Sequence, residues 1–168
     1  MHKTRIDLPE KTRKKVVNLL SMRLADAIDL HLQVKQAHWN VKGPNFIALH
    51  QLFDTVHAEV EGHYDTIAER ITALGFTAFG TSQAVGAAST LPAYPTDIAG
   101  GLAHVKALAG SFAAFGKTVR AAIDAATDAG DADTADLFTA CRAPSTRRCG
   151  SSKPISRRPT DDGATATA

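Results

Sequence analysis

The stretch from His38 to Glu69 constrains this chain more than any other. It opens Ala37-His38-Trp39-Asn40-Val41-Lys42-Gly43-Pro44-Asn45-Phe46 and runs on through His50, Asp54, Asp65 and Glu69. Gly43-Pro44 interrupts one helical pattern, and the next begins at once with apolar residues at Phe46, Ile47, Leu49, Leu52, Phe53, Val56 and Val60. On this second helix His50 and Asp54 stand four residues apart, as do Asp65 and Glu69. Each pair therefore shares a face and can hold a common ion. Asp54 and Asp65 are separated by about three turns, so the two pairs lie on similar sides of the helix. Their midpoints, however, are roughly 22 Å apart at about 1.5 Å of rise per residue. One metal centre cannot use both pairs of one straight helix. If both pairs are ligands, an antiparallel second copy must complete the site, as a two-fold dimer does.

The rest of the chain reads as helix. Its 168 residues with 44% hydrophobic content suffice for one compact core, and the alanine-rich, aromatic-poor composition shows no strand alternation. Pro9 marks a helix start, and Val16, Leu19, Leu20, Leu24, Ala27, Ile28, Leu30 and Val34 keep helical spacing from about Glu10 to Asn40. The second helix is predicted from about Asn45 to Leu74, with Gly75 as its C-cap. Residues 76–95, rich in Gly, Ala, Ser and Pro, form a long crossover with room for one short helix. Thr96 or Asp97 is the expected cap of a third helix reaching about Ala126. Gly130, Asp131 and Asp133 make a turn, and a fourth helix begins near Thr134. No apolar run is long enough to span a membrane, and residues 1–5 lack the apolar core of a signal peptide, so a cytoplasmic location is expected.

Taken together, the His38, His50, Asp54, Asp65, Glu69 spacing and its Ala-His-Trp-Asn and Gly-Pro-Asn-Phe surroundings resemble the Dps family of mini-ferritins. The likeness covers roughly residues 10–140 and includes Lys35-Gln36-Ala37-His38-Trp39-Asn40, Asp65-Thr66-Ile67-Ala68-Glu69-Arg70, Leu74-Gly75, Tyr94-Pro95-Thr96-Asp97-Ile98 and Asp133-Thr134-Ala135-Asp136-Leu137. The resemblance implies an all-α, ferritin-like four-helix bundle with one long crossover. It also implies iron as the metal, with two ions per site possible, and hydrogen peroxide as the oxidant. His38, His50 and Asp54 would come from one subunit and Asp65 with Glu69 from its two-fold partner. The ferric product would be stored in a homo-oligomeric shell of twelve subunits. In the family, the region matching Asp131, Asp133 and Asp136 lines three-fold pores that admit iron. Such a ferroxidase needs no nucleophile or acid–base triad, because the metal carries the redox chemistry.

Other readings stay open beside this one. A carboxylate-rich set with few nitrogens suits iron(II) but also takes zinc or manganese. Asp54-x-x-His57 is a single copy of a motif that di-iron bundles carry on two helices, and is not used. Trp39 is read as a packing residue, and His2, His31, His57, His63 and His104 as solvent-facing or satisfied. Acids at Asp131, Asp133 and Asp136 are also favourable simply as a helix N-terminus. Lys3, Arg5, Lys11, Arg13, Lys14 and Lys15 could contact DNA phosphates without reading bases, which would make the chain a nucleoid-binding structural protein instead.

The end of the chain departs from the family pattern. Residues 141–168 carry Arg142, Arg147, Arg148, Lys153, Arg157 and Arg158 against Asp161 and Asp162, a net charge of +4, whereas residues 1–140 carry −2. Pro144, Pro154 and Pro159 speak against a long helix, so a domain over 1–140 is expected with the fourth helix truncated to about two turns and a basic, disordered tail. Cys141 and Cys149 lack zinc-ligand spacing. Back-translating Cys141–Arg157 with permitted codons and reading from the third base allows Ser-Arg-Ala-Val-Asp-Lys-Thr-Leu-Trp-Phe-Ile-Glu-Ala-His-Leu-Gln. That string looks like the missing helix end, which points to a one-base frameshift near Ala140. An assembly-defective relative is the reading that follows from it.

Overall fold

The computed structural model describes the backbone of residues 1–150 and the side chains of residues 1–142; the part of the expected tail from 151 to 168 lies outside the described residues. Five helices follow one another: α1 (Glu10–Asn40), α2 (Phe46–Ala73), α3 (Ser82–Ala88), α4 (Gly101–Asp128) and α5 (Ala132–Gly150). The four long ones form a bundle in which α1 packs on α2 and α4, and α5 packs chiefly on α4 and touches α2. The short α3 lies in the crossover, against α1. Its N-cap, Thr81, accepts a hydrogen bond from the Ala84 amide. Among the described residues no helix is long and apolar enough to cross a membrane.

The apolar spacing in the sequence becomes the core. Val16, Leu20, Leu24, Leu30 and Val34 of α1 meet Phe53, Val56, Val60, Ile67 and Ile71 of α2, and Leu108, Phe112, Phe115 and Val119 of α4 complete it. Each fully buried side chain of this size contributes about 1.5–3 kcal/mol. Two glycines shape the ends of α2. Gly43 sits at φ +111 in open space, so its turn needs the conformation rather than the room. Gly75, at φ +88, also needs the room, because a Cβ there would come within 2.6 Å of the His2 carbonyl oxygen. The polar lead before α1 is folded onto this end of α2. Thr4 Oγ1 donates to the Ala73 carbonyl at 2.9 Å and Arg13 Nη1 to the Leu74 carbonyl at 3.0 Å, while the His2 amide donates to the Gly75 carbonyl. The arm thus meets the carbonyls of Ala73, Leu74 and Gly75, while those of Arg70, Ile71 and Thr72 accept from the Leu74, Phe76 and Gly75 amides.

Two expected boundaries move. The third bundle helix starts at Gly101, with Gly100 as N-cap, and not at Thr96 or Asp97. The intervening residues are instead held to the α1–α2 turn, where the Lys42 amide donates to the Ala99 carbonyl at 2.9 Å. The last helix is longer than the expected two turns. It reaches Gly150 and so runs through Pro144, because one proline removes a single backbone hydrogen bond without forbidding the turns on either side. Cys141, placed by sequence in the tail, is buried in the core at the end of the stripe Thr134, Phe138, Cys141. Within the described residues α5 spans 19 residues and α4 28, or roughly 28 Å and roughly 42 Å of helix.

Candidate metal centre

The Gly43-Pro44 turn folds α2 back along α1 and brings His38 over His50. Their rings stack with centroids 3.7 Å apart and planes 24° apart. The two side chains then hydrogen-bond reciprocally to each other's backbone. His38 Nδ1 donates to the His50 carbonyl and His50 Nδ1 to the His38 carbonyl, both at 2.9 Å. A carbonyl can only accept, so each Nδ1 carries the hydrogen and each Nε2 keeps a free lone pair. This is the carbonyl-fixed arrangement by which proteins orient imidazoles toward a metal.

Asp54, one turn along α2 from His50, adds the nearest carboxylate. Its Oδ1 lies 3.9 Å from His38 Nδ1 and accepts a hydrogen bond of 2.7 Å from Lys35 Nζ. The Lys35 bond, aided by the ammonium charge, holds the Asp54 carboxyl below its ordinary pKa, so the group is an anion at neutral pH. Lys35 was not singled out by sequence, although its place three residues before His38 on the same face was a signal for it. Its ammonium stands where a metal ion bound to Asp54 would compete.

Asp65 and Glu69 are exposed at the other end of α2 and do not join this group. Among the described residues of one chain, no three His, Cys, Asp or Glu side chains gather to hold a metal. The structure therefore stacks His38 on His50, sets Asp54 near His38 without closing the three around one point, and leaves the second carboxylate pair apart. Trp39, expected to pack, is 66% exposed beside the site, so its large ring is available to a neighbour and contributes nothing to this chain's core.

The acidic group before α5 divides. Asp131 is buried: it accepts from Arg70 Nη2 at 2.8 Å, from the Thr134 amide at 3.1 Å and from Thr134 Oγ1 at 2.7 Å. It caps α5 and ties it to α2. Asp133 is exposed, with Arg70 Nη1 at 3.5 Å, and Asp136 is exposed. The other histidines divide as well. His104 is buried and its Nδ1 shares a 2.6 Å hydrogen bond with Tyr94 Oη, while the Nε2 atoms of both His104 and His63 are buried without a well-formed hydrogen bond. His31 and His57, expected to be solvent-facing or satisfied, are half-buried and stacked on each other with centroids 3.6 Å apart. Sequence reasoning missed this pair, although each member stands seven residues from His38 or His50.

A bundle of four long helices with one crossover, carrying histidines and carboxylates on its first hairpin, is the ferritin-like arrangement. The ferritin-like domain family matches residues 17–143 of the chain. A DNA protection during starvation protein of Agrobacterium fabrum is 49% identical over 139 residues, covering 83% of this chain and 86% of that one. Another, from Brevibacillus brevis, is 34% identical over 131 residues, covering 76% and 85%. Among solved structures, Mycobacterium smegmatis Dps in its tetragonal form superposes with a TM-score of 0.84 at 32% identity, covering 89% of this chain and 90% of that one. The chain belongs to the Dps family of ferritin-like proteins.

Proposed function

We propose that this chain is a mini-ferritin that oxidises iron(II) at sites shared by two subunits and stores the ferric product inside a closed twelve-subunit shell. The observation that carries this reading is the stacked His38–His50 pair, whose Nδ1 atoms are taken up by reciprocal carbonyl bonds, with the ionised Asp54 carboxylate 3.9 Å from His38 Nδ1. Two imidazoles with three carboxylates make a donor set that fits iron(II). Asp65 and Glu69 of the partner subunit supply the remaining carboxylates, since their own chain holds them too far away.

The chemistry asked of the site is electron transfer. Two iron(II) ions give up one electron each to hydrogen peroxide, whose O–O bond breaks to leave two waters once two protons are taken up. The protein's part is to hold the ions. Fixed Nδ1–H groups hold the two imidazoles in one orientation, the carboxylates balance the metal charge, and Lys35 gives way at Asp54 when iron enters. Iron would reach the shell interior past Asp133 and Asp136, while Asp131 is spent on Arg70. Protection of DNA, in the cytoplasm and near the nucleoid, follows from removing iron and peroxide together. Direct DNA contact is a second reading for which exposed Lys3, Arg5, Lys11 and Lys15 remain available. Arg13 is engaged with Leu8 and Leu74, and Lys14 with Glu10.

The test is iron(II) oxidation by added peroxide, followed by the rise of ferric absorbance. His50→Ala should slow the fast phase at least about tenfold, the scale of losing a well-placed ligand worth roughly 1.4 kcal/mol or more. An unchanged fast phase in that variant would reject the site.

A further inference from the structure

The His38–His50 pair has a counterpart two turns along the same face. Seven residues back on α1 and seven forward on α2 stand His31 and His57, with planes 34° apart. The step is about 10.5 Å on antiparallel helices, with the Lys35–Asp54 ion pair between the two rungs. The Tyr64 ring meets the edge of His31 at 5.2 Å. Burial lowers the pKa of both His31 and His57, so both are neutral ligands at neutral pH, and the Glu61 carboxylate acts on both rings in the opposite sense. The second rung lacks the reciprocal bonds of the first. His31 Nδ1 is buried without a well-formed hydrogen bond, although the His57 carbonyl lies beside the ring. A buried ring nitrogen without a well-formed hydrogen bond is open to a ligand.

The two-fold arrangement proposed above places this rung. Setting His50 level with Glu69 of the partner subunit, and Asp54 level with Asp65 of the partner subunit, puts the axis between residues 59 and 60 of α2. His57 then stands level with Gly62 of the partner subunit. Gly62 carries no Cβ, and a Cβ built there would meet nothing within 4 Å, so the approach is open. The two Glu61 residues are then offset by about 4.5 Å along the helix direction, one on either side of the two-fold axis, so that both carboxylates lie near it.

We infer that His31, His57 and Glu61 form a second divalent-cation site at the two-fold axis, distinct from the iron-oxidising one. Two imidazoles and one carboxylate are a nitrogen-richer set than the first site, of the kind that zinc and cobalt(II) adopt. The three do not close around an ion within one chain. The partner's approach is what completes the site, so this inference rests on the shared-dimer reading.

The full-length protein would be titrated with cobalt(II), with ligand-field absorption and equilibrium dialysis recording how many ions bind and how tightly. Wild type should show two classes of site. His57→Gln should weaken one class at least tenfold and leave the other, and His50→Ala should do the reverse. Glu61→Gln should weaken the same class as His57→Gln. If His57→Gln does not fold, as judged by its circular dichroism, His31→Asn takes its place. A folded His57→Gln or His31→Asn that titrates like wild type would overturn the inference, and so would one that loses both classes together. Loss of one class in His57→Gln with no effect of His50→Ala would uphold the second site and reject the first.

Discussion

The two long hairpins of the bundle do different work. The α1–α2 hairpin carries a buried His38, the half-buried His31, His50 and His57, Lys35 and the exposed Asp54, while it also supplies most of the core. The α4–α5 hairpin carries little outward chemistry, and its contribution is the packing of Phe112, Phe115, Val119, Phe138 and Cys141. On α4 the exposure grades along one stripe: Phe112 is 6% exposed, Val105, two turns earlier, is 37% exposed and Leu102 is 83% exposed. The candidate chemistry is confined to the first hairpin, whereas both hairpins supply core, so substitutions in the second should change stability without touching the candidate site.

The largest separation is expected at Phe138. This fully buried ring is the anchor of α5, and Phe138→Ala should lower the free energy of unfolding by about 3–5 kcal/mol. Chemical denaturation measures that loss, and iron(II) oxidation per folded chain should stay at wild-type level. A Phe138→Ala protein of unchanged stability would break the comparison. A smaller effect of opposite sign is expected at Pro144, which lies inside α5. Pro144→Ala restores the missing backbone N–H and should stabilise the protein by up to about 3 kcal/mol in the same assay, again without changing oxidation.

The smallest effect sharpens the comparison through pH. Burial lowers the pKa of His31, His57 and His63 in the first hairpin and of His104 in the second. An unfolded histidine takes a proton near pH 6.5, but these folded ones resist it to lower pH. Their stabilisation is thus fully present above about pH 6.5 and is lost as the pH falls through that value toward the folded pKa. His104→Gln should flatten the acid side of the stability profile by at most about 1.4 kcal/mol per pH unit. An unaltered slope would mean that the first hairpin alone carries the dependence.

The same contrast explains how much was legible in the sequence. Helices α1 and α2 could be drawn to within a residue or so, because their apolar periodicity is unbroken and glycines at 43 and 75 punctuate their ends. The candidate ligands were visible as i, i+4 pairs. The start of α4 was not, because Thr96 and Asp97 offer good caps locally, whereas the Lys42–Ala99 bond that holds this segment non-helical links residues far apart in the chain. The length of α5 was misjudged for the opposite reason. Pro144 is a strong local signal, and packing through Phe138 and Cys141 outweighs it. Spacing likewise could not tell that Asp131 is spent on Arg70, or that His31 and His57 stack. Each depends on how one helix crosses another.

The central claim is that one site needs two chains, and subunit complementation tests it most directly. His50→Ala removes a ligand from the histidine end, and Asp65→Ala removes one from the carboxylate end. Each variant alone should lack fast iron(II) oxidation. In a mixed dimer, one of the two sites collects both lesions and the other is intact. After subunit exchange, confirmed by a mass tag on one variant, the fast phase should therefore return to about a quarter of the wild-type amplitude, from half of the dimers with one good site each. A fully exchanged mixture with no fast phase would contradict the shared site.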